Sequence, residues 1–174
     1  REVYINMTEI RVGIVMGSQS DDEVMRKGAE VLEELEIGYE MVVCSAHRNP
    51  ERTAAYAKEA AARGIEVLIA GAGLAAALPG VLAAHTILPI IGVPVATGAL
   101  NGVDSLYAIV QMPRGIPVAS VGLDNSANAA LFAIQILALE DDSVANKLAQ
   151  YRDELRERGL RADEEAQAGK WRDA

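Results

Sequence analysis

Histidine and cysteine are scarce in this chain: its 174 residues include two of the first and one of the second. A lone Cys44 excludes an intrachain disulfide framework and any multi-cysteine metal cluster. His47 and His85 are too far apart in sequence to form a metal-ligand spacing, so no metal site is expected. Aromatic residues make up only 4% of a composition that is 51% hydrophobic, which calls for an aliphatic, Ala-rich core in which helices approach closely. Positive charge is also short. Lys and Arg number 16 against 25 Asp and Glu, a formal net charge of -9, and this argues against a nucleic-acid backbone as partner. No run of 18 apolar residues lacks a charge or a Pro/Gly break, and no cationic start leads into an apolar core. The expectation is therefore a cytoplasmic protein with no membrane partner.

What is present is a regular alternation. Residues 1–10 read as an N-terminal extension, with Met7 as the expected native start, and residues 11–140 read as one α/β domain. Apolar runs at 12–16, 39–44, 65–70, 90–96 and 118–123 read as buried strands. Between them lie helical patterns: one that opens at "SDD" and ends at Gly38, one from Pro50 to near Gly64, a short one at 81–85, one within "NGVDSLYAIVQMP", and one over 127–139. Continuous apolar strands joined by long crossovers indicate a parallel sheet covered on both faces. Residues 141–174 form a C-terminal helix and tail. The helix is expected over 143–158, with Val144, Leu148, Tyr151 and Leu155 as a single apolar stripe that needs a partner.

In an open parallel sheet, ligands bind at the carboxyl ends of the strands, and three such ends stand out here. The first, Gly17-Ser18-Gln19-Ser20-Asp21, combines flexible backbone, hydroxyls and helix N-terminal amides, which suit a phosphate, while Asp21 can accept from a sugar hydroxyl. An ordinary N-cap explains it equally well. The second is Ser45-Ala46-His47-Arg48. A lone histidine is more often structural than catalytic, but this one stands at a strand tip beside a planar cation suited to phosphate. Cys44 reads as a small buried strand residue. The third, Gly71-Ala72-Gly73-Leu74-Ala75-Ala76, formally matches a G-x-G-x-x-A dinucleotide pattern. The match is weak, because no acidic residue follows at the distance a ribose contact needs. His85, at the end of a short helix, reads as structural.

The segments "VGIVMGSQSD", "VVCSAHRNP", "IAGAGLAAALPG", "PIIGVPV", "LNGVDSLYAIVQMPRGIPVA" and "NAALFAIQIL" together resemble, in order and spacing, the carboxyaminoimidazole ribonucleotide mutase family of purine biosynthesis. That family also contains the aminoimidazole ribonucleotide carboxylases. The resemblance covers residues 11–151. It implies a flavodoxin-like three-layer α/β subunit in a homo-octamer, with the C-terminal helix packed on a neighbour. It places Ser18, Ser20, Ser45 and Arg48 around the ribonucleotide phosphate, Asp21 on the ribose, and His47 at the imidazole as the acid-base group. Gly17 and Ala46 lie within the same two motifs, Gly71, Ala72 and Gly73 line the pocket for the migrating carboxyl, and Leu78 helps exclude water. No metal and no organic cofactor is implied. The carboxylase branch tends to have Lys after the histidine, so Arg48 favours the mutase. Two departures stand against the match: the family's third loop usually reads GAGGAAHLPG, and this chain has Leu74 for a Gly and Ala77 for the His. They favour the rival reading of a non-catalytic nucleotide-binding paralogue.

Overall fold

The computed structural model describes residues 4–5 and 9–169. Met7, the expected native start, and the last five residues of the tail lie outside the described residues. The central sheet runs in the order β1-β3-β2-β4-β5-β6, where β1 is Tyr4–Ile5, β2 Val12–Met16, β3 Tyr39–Val43, β4 Val67–Gly73, β5 Ile90–Val95 and β6 Ala119–Ser120. Strands β2 to β6 are parallel, in the flavodoxin-like order. Two residues of the expected extension, Tyr4–Ile5, add a short antiparallel edge strand on β3, which the sequence pattern did not show.

Alternation along the strands divides the core into two. Val12, Ile14, Met16, Met41, Ile69 and Val93 face one side, where they pack with α1 (Asp22–Glu34), α5 (Ser126–Leu137) and the start of α6 (Asp142–Gln167). Val15, Val42, Leu68 and Ala70 face the other, against α2 (Pro50–Ala60), α3 (Leu78–Ala83) and α4 (Val103–Val110). The three layers follow directly from period-2 strands whose two faces are both apolar.

Small residues set the helix spacing. A β-carbon at Gly28 on α1 would lie 2.8 Å from the carbonyl oxygen of Ser126 on α5, so the two helices touch through backbone. Because backbone cannot rotate aside as a side chain can, Gly28→Leu is expected to destabilise the protein by at least about 2 kcal/mol, read as a lowered thermal midpoint.

Several boundaries differ from the sequence reading, each for a packing reason. β4 continues to Gly73 through residues expected to turn, because Gly71, Ala72 and Gly73 pair with Val93, Pro94 and Val95. α3 starts at Leu78 rather than 81, since Pro79 is tolerated in a first turn and Leu78, Pro79 and Leu82 are all buried. β6 holds only two residues. The chain then continues beside β5 without regular pairing, the Val121 amide donating to the Gly92 carbonyl and the Asp124 amide to that of Pro94. α6 runs on to Gln167, beyond the expected end. Its stripe is also used differently: Val144 and Leu148 are buried in the subunit's own core and Tyr151 packs against that core, whereas Leu155 is exposed. The neighbour expected for the whole stripe is therefore needed only by its distal part. Among the described residues no helix is long and apolar enough to cross a membrane.

Candidate active site

A cleft of about 320 Å³ opens at the carboxyl ends of β2, β3 and β4. The first crossover runs from β2 to β3 and the next returns past β2 to β4, so the order reverses there, which is where open α/β sheets bind ligands. Its volume lies at the lower end of the roughly 300–1,000 Å³ usual for small-molecule sites.

The loop after β2 is built by reciprocal capping. The Ser18 side chain accepts from the Ser20 amide at 3.3 Å, and the Asp21 carboxylate accepts from the Ser18 amide at 3.2 Å and from the Ser20 hydroxyl at 3.3 Å. The Gly17 amide donates to the Gly71 carbonyl at 3.1 Å, tying this loop to β4. Asp21 is 7% exposed, and burial pushes its carboxyl above the usual range, opposed by the bonds from Ser20 and Ser18. The N-cap reading and the ligand reading thus describe one loop: a hydroxyl that accepts a backbone bond keeps its own proton free to donate.

The turn after β3 carries the second group. Ser45 accepts from the Arg48 amide at 3.3 Å, and Asn49 caps α2 by accepting from the Arg52 amide at 3.1 Å with Pro50 as the first helical residue. This short turn leaves His47 and Arg48 exposed at the cleft. Arg48 is the only Lys or Arg among the lining residues, so an acidic protein presents one local positive charge there.

Of the residues singled out from sequence, Gly17, Ser18, Ser20, Asp21, Ser45, Ala46, His47, Arg48, Ala72, Gly73 and Leu78 all line this cleft. Gly71 does not. It sits within β4, where a β-carbon would lie 2.3 Å from the Met25 sulfur, so its smallness serves packing against α1. Leu74, Ala75, Ala76, Ala77 and Thr97 complete the lining. Thr97 had a usable signal, since it follows the end of β5, the strand beside β4. Leu74 adopts φ +54°, a left-handed conformation that favours glycine, which is the residue the family pattern has there.

Two residues expected to be structural lie apart from this chemistry. Cys44 is fully buried and burial pushes its thiol up, the reverse of an activated nucleophile. His85 lines a separate hollow with Ile87, Leu88 and Pro89, just before β5, at the opposite end of the sheet.

Residues 11–158 match the AIR carboxylase family. The chain belongs to that family. It is 58% identical to the N5-carboxyaminoimidazole ribonucleotide mutase of Pyrococcus abyssi, over 84% of either chain, and 54% identical to the mutase of Thermotoga maritima, over 84% of this chain and 85% of that one. It is 51% identical to the phosphoribosylaminoimidazole carboxylase of Schizosaccharomyces pombe, but covers only 26% of that longer protein. The fold superposes on the crystal structure of Treponema denticola PurE with a TM-score of 0.81 at 30% identity, covering 88% of this chain and 96% of that one.

Proposed function

We propose that this protein converts N5-carboxyaminoimidazole ribonucleotide to its 4-carboxy isomer, with His47 as the acid-base group. One observation carries the mutase over the carboxylase reading: the mutases of Pyrococcus abyssi and Thermotoga maritima are matched over 84% and 85% of their own length, while the Schizosaccharomyces pombe carboxylase is matched over 26% of its length.

Arg48, Ser18 and Ser45 hold the phosphate through the guanidinium and the two hydroxyls, while Ser20, whose proton goes to Asp21, shapes the same loop. Asp21, fixed by its bonds to Ser18 and Ser20, accepts from a ribose hydroxyl. The imidazole ring lies against His47, walled by Ala72, Gly73 and Leu78. In the first half of the reaction the carbamate N–C bond breaks, carbon dioxide departs, and the amine nitrogen receives a proton from His47. In the second half, ring carbon 4 attacks the carbon dioxide and then loses its proton to the same imidazole, which is restored. The step is a net isomerisation: it consumes no oxidant, reductant or external proton. A group that must both give and take a proton near neutral pH suits imidazole better than carboxylate or lysine. Small apolar walls keep the intermediate carbon dioxide from escaping.

The same reading supports a homo-octamer in the cytoplasm. Leu100, just before α4, and Val103, Tyr107 and Val110 on it follow a helical i, i+3, i+7, i+10 spacing yet are between 47% and 61% exposed, and Leu155 and Leu160 are exposed on α6. Such faces mark association surfaces.

The test offers the carbamate substrate in one assay, and bicarbonate with aminoimidazole ribonucleotide in another. Product from the carbamate at a rate well above that from bicarbonate is expected. The reverse preference establishes the carboxylase, and no product in either assay favours the non-catalytic paralogue.

A further inference from the structure

The wall of the cleft opposite His47 and Arg48 comes from two loops that interlock, each placing a side chain on a glycine of the other strand-loop unit. A β-carbon at Gly98 would lie 2.6 Å from Leu74 Cδ2, and one at Gly73 would lie 2.4 Å from Thr97 Cγ2. Leu74 follows β4 and rests on Gly98 beyond β5, while Thr97 beyond β5 rests on Gly73 at the end of β4. Both leucine and threonine line the cleft.

This arrangement is held against a local cost. Leu74 sits at φ +54° and Gly98 at φ +72°, so glycine is suited to both positions and only one has it. Leu74 is also 54% exposed, so burial in the core does not repay its backbone conformation. Strained positions persist where the surroundings enforce them and cluster at ligand sites. The second loop is anchored from behind: the Asp124 carboxylate accepts from the Ala96 amide at 2.8 Å, just before Thr97. The loop after β4 has no comparable side-chain cap, because Ala77, the N-cap of α3, makes no capping bond. Its contact across to Gly98 takes the place of one.

We propose that Leu74 is a positioning residue that latches the loop after β4 onto the loop after β5, holding the cleft wall in the arrangement that accepts substrate. The latch itself is a property of the free protein; its effect on affinity rests on the ribonucleotide reading above. Once unlatched, the wall samples other arrangements, and a binding-competent state populated about one-tenth of the time weakens apparent affinity about tenfold.

The experiment compares the parent with Leu74→Gly and Leu74→Met. Glycine suits the local φ and removes the contact, whereas methionine keeps a long apolar side chain able to reach Gly98. In the ligand-free protein, amide hydrogen exchange at residues 74–77 and 97–102 is expected to be about tenfold faster in Leu74→Gly and near the parent rate in Leu74→Met. Calorimetry with aminoimidazole ribonucleotide should show about tenfold weaker binding for Leu74→Gly, and kinetics a raised KM with a much smaller change in kcat. Unchanged exchange in Leu74→Gly overturns the latch. Faster exchange with unchanged affinity overturns its role in substrate positioning. If the parent binds no ribonucleotide, the functional reading falls, and exchange alone decides the latch.

Discussion

His47→Asn is expected to lower turnover by at least about 100-fold, the low end of what general acid-base catalysis contributes, while weakening substrate binding far less. Asparagine keeps a similar shape and can still hydrogen-bond, but it cannot exchange a proton near neutral pH. The residue is exposed on a turn pinned by Ser45 and Asn49, so its replacement should leave the fold intact. Arg48→Ala should show the complementary pattern. A lost charge-assisted bond to phosphate weakens ribonucleotide binding by about 2 kcal/mol and raises KM more than it lowers kcat. His85→Asn, at the other end of the sheet, is the control and should retain parental turnover. Steady-state kinetics of the three variants checks all of this. Turnover of His47→Asn within a few-fold of the parent would remove the histidine from the mechanism.

The largest effect on stability from a single charged side chain is expected at Arg63. Glu40 lies on β3 with a side chain only 5% exposed, and it accepts from Arg63 at 2.6 and 3.1 Å and from the Tyr56 hydroxyl at 2.8 Å. The Arg63 guanidinium also stands 4.9 Å from the centre of the Tyr56 ring. Burial and the neighbouring Glu40 both push the Tyr56 hydroxyl well above its ordinary value, so it remains a donor to the carboxylate. Arg63→Ala leaves that buried carboxylate with one partner. Because breaking a buried pair strands a charge, the loss should be about 2–3 kcal/mol, below the full cost since the Arg63 side chain is 41% exposed. Arg158→Ala removes ion pairs at 3.7 and 3.9 Å on the exposed surface and should cost less than about 0.5 kcal/mol. Urea unfolding of both variants, at one fixed protein concentration so that subunit association does not intrude, gives the comparison. Equal losses would show that Glu40 is reached by water.

Much of this was legible along the chain. Continuous apolar strands, helices of period 3.6, the capping residues of the loop at Ser18 and Pro50 at a first helical position are local features, so a parallel sheet covered on both faces and a strand-end site could be read without contacts. Local physics also explains why eleven of the twelve candidate site residues line one cleft: in a parallel sheet, every residue just past a strand's end faces the same edge. Gly71 stands apart from the cleft lining, packed against Met25, and a small residue beside a ligand loop looks the same in sequence whether it admits a ligand or a methionine. Only the position of Met25 separates the two.

The sequence by itself determined the strand and helix order, the acidic surface with a single cation beside a strand-tip histidine, and the family motifs, because each depends on residues near one another in the chain. Tertiary structure alone decided the rest. It brought Tyr4–Ile5 onto the sheet edge, buried Val144 and Leu148 in the subunit's own core, closed Arg63 over Glu40 and set Leu74 on Gly98. The edge-strand, Arg63–Glu40 and Leu74–Gly98 pairings each join residues more than 20 positions apart. No local periodicity encodes which surfaces meet at that separation; packing geometry does.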